Sequence, residues 1–177
     1  MLLLLKTYNQ LMNEKQYVLS ATEINIIIKR QALQVAENVS DDNKEFIVAG
    51  IMPRGFSIAQ KIVNALSAII TNPINLISLT LDKDNPSEIV LDKQLDFNHK
   101  NMLIIDDVVN NGRTLTYAIK PFLNYLPNSI QTLVLVERMY KLFPIKADYI
   151  GLSIATTKED HIVVEEKEGE IIGAYLK

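Results

Sequence analysis

The chain has 177 residues, 48% of them apolar and 22% charged, with a formal net charge of −3. These values exclude a disordered or fibrous chain and argue against a dedicated electrostatic binder of nucleic acid, and the length suits one domain with a substantial core. The absence of cysteine removes disulfides and thiolate metal sites and fits a reducing compartment.

The opening MLLLLK carries an apolar run, Met1 to Leu5, that is too short for a signal-peptide core or a membrane span. With no small-residue cleavage site at the usual distance after it, the run is expected to be a short packed terminal element. From Ser20, SATEINIIIKRQALQVAENV begins with Ser-x-x-Glu, in which Ser20 caps exposed amides and Glu23 reaches back to the N–H of Ser20. Ile24, Ile27, Ile28, Leu33 and Val35 then recur with helical spacing, and SDDNK from Ser40 ends the helix.

FIVAGI, Phe46 to Ile51, is an apolar run of β-formers; MPRG follows as a loop, and apolar periodicity from Phe56 to about Ile70 predicts a second helix. INLISLTL, Ile74 to Leu81, reads as the next strand, DKDNPSE as an exposed polar insert whose one cation is Lys83, and IVLDKQL as the returning arm of a hairpin. NMLII gives a buried strand, DDVVNNGR a loop, TLTYAIKPFLNYL a helix and SIQTLVLVER a further strand. From Asp148 onward, DYIGLSI, HIVVE and EIIGAYL are short apolar pieces between polar ones and predict a small β-rich appendage. No repeat, low-complexity tract or Gly/Ser/Pro-rich linker marks a domain boundary.

Alternating strands and helices predict an α/β fold, a doubly wound and mainly parallel sheet flanked by helices, with ligands beyond the carboxyl ends of the strands. MPRG and DDVVNNGR both fall there. Asp106 and Asp107 side by side at a strand end suit vicinal hydroxyls or a hard cation such as Mg²⁺, because carboxylates accept strong hydrogen bonds from a diol and hold the ion directly or through its waters. Gly112 allows a close backbone approach, and the amides around it, with the Thr114 hydroxyl, form a nest for a phosphate. Acids for a diol beside amides for a phosphate make a ribose 5-phosphate site. Neither G-x-G-x-x-G nor G-x-x-x-x-G-K-[ST] occurs anywhere in the chain.

LIIDDVVNNGRTL resembles the phosphoribosyl-pyrophosphate signature of the type I phosphoribosyltransferases, and IVAGIMPRG resembles their pyrophosphate loop. LVERMYKLFPIKADYIGLSIATTKEDHIVVE is similar to the C-terminal part of the bifunctional pyrimidine operon attenuator and uracil phosphoribosyltransferase family. The resemblance spans about Ser20 to Val164. It implies an N-terminal arm over residues 1–19, a phosphoribosyltransferase domain over 20–177, a hood mainly over 137–177 and a flexible hairpin over about 80–95.

It also implies the roles of single residues. Asp106 and Asp107 bind the ribose hydroxyls as the catalytic acids and meet Mg²⁺ through substrate or water; Val109, Asn110, Asn111, Gly112, Arg113 and Thr114 bind the 5-phosphate. Met52, Pro53, Arg54 and Gly55 form the pyrophosphate loop, and Glu137, Arg138, His161 and Ile162 the base pocket. Met52 and Pro53 stand where the family commonly has a lysine-threonine pair, and the insert lacks the family's basic, tyrosine-containing pattern. The implied reaction joins a nucleobase, uracil first, to phosphoribosyl pyrophosphate in a cytoplasmic homodimer or higher homo-oligomer with no membrane partner. Two alternatives are a nucleotide-sensing attenuator that binds RNA and a weakly active phosphoribosyltransferase-fold binding protein. Lys141 and Lys146 are the only cations after Arg138 in ERMYKLFPIK, which weighs against an RNA face.

Overall fold

The computed structural model describes residues 15–39, 44–82, 84–86 and 88–177. Met1 to Leu5 and Lys83 lie outside the described residues. The first elements are a strand, β1 (Gln16–Ser20), and a helix, α1 (Ala21–Val39). Ser20 closes the expected box: its N–H donates to Glu23 Oε2 at 2.8 Å, and the Glu23 N–H donates to Ser20 Oγ at 3.3 Å. The buried stripe of α1 includes Ile24, Ile27, Ile28, Gln31, Ala32 and Val35. Leu33, expected on that stripe, is instead 55% exposed, since the small Ala32 and the hydrogen-bonded Gln31 occupy the turn that faces the sheet.

The central sheet is built from β2 (Phe46–Ile51), β3 (Ile74–Leu81), β4 (Ile89–Leu91), β5 (Asn101–Val109), β6 (Ser129–Arg138) and β7 (Tyr149–Ile154), in the order β4-β3-β2-β5-β6-β7. All neighbours are parallel except β3 and β4, which form the expected hairpin around DKDNPSE. Every residue of β2 is buried, as a strand covered on both faces requires. Between β2 and β3 runs α2 (Arg54–Leu66), shorter at its C-terminus than the expected Ile70. After β5 comes α3 (Arg113–Ile119), which gives way to a 3₁₀ turn over Lys120–Asn124 rather than continuing as one helix to Leu126. Pro121 is the reason: it brings no N–H to an α-helical bond and its ring crowds the preceding turn.

Tyr149–Ile154 departs from expectation. Its sequence reads as the start of the C-terminal appendage, yet it pairs in parallel with β6 and closes the main sheet. The appendage proper is a three-stranded antiparallel sheet in which β8 (Ile162–Lys167) and β9 (Glu170–Leu176) form a hairpin and β1 adds to β9. The end of the expected N-terminal arm is therefore a strand of this small sheet.

Two apolar clusters hold the layers together on opposite sides of the sheet. One joins α1, α2 and the small sheet to Val48, Leu103, Ile105 and Leu135; the other joins Phe97, Leu115, Ala118 and Phe122 to Ile47, Ile104 and Val134. The strand order reverses between β2 and β5, each of which sends its following connection to an opposite side. This switch point leaves a crevice at the carboxyl ends of β2 and β5.

Candidate functional site

The crevice is lined by Arg54, the run from Asp106 to Leu115, and Ile162, and encloses about 110 Å³. Its floor is the end of β5. The strand does not stop at Ile105 as expected but continues through both acids to Val109, still paired with β6. On its other edge β2 ends its pairing at Ile105, so Asp106 to Val109 run past the neighbouring strand and open one side to the cleft.

Two adjacent residues of a regular strand point to opposite faces. Here the alternation slips: Leu103, Ile105 and Val108 belong to one core cluster, and Met102, Ile104 and Val109 to the other. The slip falls on Asp106–Asp107 and lets both carboxylates line the same cleft although only 2% and 4% of these residues is exposed. The Asp107 N–H donates to Asp106 Oδ1 at 2.9 Å, which holds the first carboxylate in place. Asp107 Oδ2 lies 3.6 Å from Arg54 Nη1, an ion pair that spans from the β2 side of the switch point to the β5 side.

Arg54 is the first residue of α2, and Gly55 the second. A Cβ on Gly55 would stand 2.6 Å from the Ile105 carbonyl oxygen and 3.0 Å from Asp106 Cα, so glycine lets the start of α2 press against the acid-bearing strand. The preceding pair offers no backbone donors to a ligand. The Met52 N–H donates to Leu79 O at 2.8 Å, while Pro53, joined through a cis peptide bond, has no N–H. What remains of the expected pyrophosphate loop is the Arg54 guanidinium and the first amides of α2, which have no intrahelical acceptor.

The turn after β5 is Asn110 to Gly112. Gly112 has φ 87°, a left-handed conformation that suits glycine, and a Cβ there would meet Ile145 Cγ2 at 2.8 Å. Asn111 works on both sides of the turn: its Oδ1 accepts the Arg113 N–H at 3.0 Å, and its carbonyl accepts from Leu142 and Phe143 at 2.9 and 3.0 Å. The Arg113 amide is thereby used inside the turn. Thr114 and Leu115 precede the first helical bond, from Thr116 N to Gly112 O at 3.0 Å, so their amides are available at the cleft.

The four residues expected at the base are not all brought here. Ile162 lines the cleft. Glu137 and Arg138 end β6 nearly buried, and neither lines it. Glu137 Oε1 pairs with Lys141 Nζ at 3.0 Å and its Oε2 accepts from Ser153 at 3.4 Å. Arg138 is bound to Asn110, Thr156 and Thr157. His161 is exposed and exchanges backbone hydrogen bonds with Lys177 at 2.8 and 2.7 Å, which closes the open end of the β8–β9 hairpin. Val108 and Leu115 line the cleft without having been expected, because nothing in an apolar residue type announces a ligand.

The family of phosphoribosyl transferase domains matches residues 17–168. The chain belongs to this family. Among relatives of this phosphoribosyltransferase, the bifunctional protein PyrR of Bacillus pumilus (strain SAFR-032) is 31% identical over 94% of this chain and 100% of its own length. That of Clostridium beijerinckii is 32% identical over 80% of this chain and 86% of its own. Among solved structures, a hypoxanthine phosphoribosyltransferase of Trypanosoma cruzi has a TM-score of 0.76 at 17% identity, covering 92% of this chain and 96% of that one. A hypoxanthine-guanine phosphoribosyltransferase from Bacillus anthracis has a TM-score of 0.69 at 19% identity, covering 84% and 86%. At such identity these two show the shared fold.

Proposed function

We propose that this phosphoribosyltransferase joins uracil to the ribose 5-phosphate group of phosphoribosyl pyrophosphate and releases pyrophosphate. One observation carries the reading: two buried carboxylates and a glycine turn share a single cleft at the switch point of the sheet, opposite Arg54. Asp106 and Asp107 accept the ribose hydroxyls. Asn110 to Leu115 receive the 5-phosphate, chiefly through the Thr114 and Leu115 amides and the Thr114 hydroxyl.

In the reaction, a ring nitrogen of the base forms the new bond to the anomeric carbon as the carbon–oxygen bond to pyrophosphate breaks, and the bonding pair leaves with pyrophosphate. Positive charge grows on the ribose ring as that bond stretches. Two fixed carboxylates stabilise it more in the transition state than in the ground state, which is where such interactions raise the rate. Arg54 exchanges its Asp107 partner for the leaving pyrophosphate, a planar cation meeting a phosphate oxygen pair.

Mg²⁺ fits the donor set: two adjacent acceptor-only side chains sit on the cleft, while among the described residues no group of three or more His, Asp or Glu could cage an ion without the substrate. That is the pattern of an ion bound by one or two carboxylates with substrate phosphates and waters. Asp106 and Asp107 would hold it, and when bound it supplies charge neutralisation to the pyrophosphate.

The choice of uracil rests on the resemblance of the C-terminal segment, and Ile162 is the residue whose backbone is expected to meet the base edge. We read residues 20–177 as the catalytic domain, with the 80–95 hairpin closing over the cleft, acting in the cytoplasm as a homodimer or higher homo-oligomer. Among the described residues no helix is long and apolar enough to cross a membrane.

Release of pyrophosphate from phosphoribosyl pyrophosphate in Mg²⁺, with uracil and then hypoxanthine, guanine, xanthine and adenine, tests the reading. Turnover with uracil is expected, and no turnover with any base would sink it. The relatives are named bifunctional, which keeps the RNA-binding attenuator in view as a second activity. Lys141, one of two cations expected on that face, is already held by Glu137 and by the Arg138 carbonyl at 2.8 Å. A gel shift against pyrimidine-operon leader RNA, with and without uridine nucleotide, is expected to show only weak binding.

A further inference from the structure

We propose that Arg138 is a positioning residue that ties the 5-phosphate loop to the strap leading into the base-covering strand, so that occupation of one end of the cleft orders the other. The inference rests on the reading of the cleft given above. Arg138 is the last residue of β6 and is 3% exposed. A guanidinium cannot discharge itself by losing a proton, so at this burial its donors must be met by protein groups.

They are met from two separate directions. Nε donates to Thr156 Oγ1 at 2.8 Å and Nη2 to the Thr157 carbonyl at 2.7 Å, both on the connection between β7 and β8. Nη1 donates to Asn110 Oδ1 at 3.4 Å, on the phosphate turn after β5. The strap then locks onto itself: the Thr157 N–H and Oγ–H both donate to Asp160 Oδ2, at 2.7 and 2.8 Å. Asp160 is followed by His161 and then by Ile162, which lines the cleft. The route from the phosphate turn to the base side thus runs through one planar side chain and a chain of five hydrogen bonds. Its longest member is the one to Asn110, the contact most able to tighten when a phosphate orders the turn. Lysine, with one nitrogen on a flexible stem, could not hold both segments in fixed relative orientation.

The test compares two ligands that do not react with each other or with the enzyme in the absence of pyrophosphate. Ribose 5-phosphate occupies the acid and phosphate end alone, and uridine 5-monophosphate occupies that end and the base side together. Let F be the ratio of their dissociation constants for the wild type. In Arg138→Met, ribose 5-phosphate affinity is expected to stay within about threefold while F falls about tenfold, inside the range of coupling between linked sites. In turnover the KM for uracil rises and the KM for phosphoribosyl pyrophosphate does not. A merely structural loss would lower the active fraction and kcat and leave F unchanged. Thr156→Val, which removes one acceptor at nearly constant volume, should lower F in the same direction and keeps the proposal testable where Arg138→Met fails to fold. Retention of the wild-type F in Thr156→Val and in any folded Arg138→Met would overturn the inference. If the wild type bound neither ligand, the reading of the cleft itself would fall.

Discussion

Substitution of Gly55 by alanine tests whether α2 is seated on β5 by close backbone approach. On helix propensity alone the change should stabilise the chain by about 1 kcal/mol, since glycine is that much worse than alanine in a helix. The structure reverses the sign. The new Cβ would lie 2.6 Å from the Ile105 carbonyl oxygen, where ordinary contact begins near 3.4 Å, so strand and helix must part by about 0.8 Å. The three atoms it meets, Ile105 O and C and Asp106 Cα, are all backbone and none can rotate away. Overpacking costs about 1–3 kcal/mol, and with backbone on both sides the upper end applies, which leaves a net loss of about 2 kcal/mol after the propensity gain. For a domain of this size that is a fall of about 4–8 °C in Tm, measured by calorimetry or circular dichroism. The same displacement moves Arg54 against Asp107, and shifts of nearly an ångström in a catalytic constellation cost up to about 100-fold in rate. A Tm equal to or above that of the wild type would refute the close-approach reasoning outright.

Asp107→Asn keeps the shape of the side chain and removes its charge; affinity for phosphoribosyl pyrophosphate, followed by titration calorimetry, is expected to fall about 10- to 100-fold, the worth of a hydrogen bond to a charged group. Unchanged affinity would mean that the acids merely end a strand. Gly112→Ala forces a side chain into φ 87° and against the Ile145 methyl at 2.8 Å; urea unfolding should show a loss of about 1–2 kcal/mol, with weaker ribose 5-phosphate binding. Asp160 has its carboxyl held below the ordinary 3.8 by the Thr157 hydroxyl and then by the Thr157 N–H. A lowered folded-state value means that its stabilisation is complete above the unfolded value and is lost as the pH falls through the folded one. Asp160→Asn should therefore lower Tm at neutral pH, with the gap to wild type closing below about pH 4; a gap independent of pH would count against the Thr157–Asp160 lock.

Local chemistry is legible in this chain wherever one short segment contains both halves of an interaction. Ser20 and Glu23 are three apart and find each other as expected, and Phe46–Ile51, Ile74–Leu81 and Ser129–Arg138 are strands at the expected bounds because apolar and β-branched residues dominate each run. The acids and the glycine turn are legible for the same reason, since the whole run from Asp106 to Leu115 that lines the cleft is a single stretch of chain. Leu33 escapes its own periodicity because spacing counts apolar residues without showing which way the helix faces, and a buried Gln31 that bonds the Val134 carbonyl takes part of its place.

The succession of strands and helices, the acid pair and the glycine turn follow from the sequence, since each depends on neighbours in the chain. Tertiary structure alone decided which strands pair and what the charged residues beyond the glycine turn do. Tyr149–Ile154 joined the main sheet because an exposed edge of β6 was there to receive it, and β1 joined the small antiparallel sheet because β9 offered its free side. Arg138, expected at the base, bonds Asn110, Thr156 and Thr157 because a buried guanidinium is placed by where acceptors lie in space, and these three come from segments remote from it in sequence.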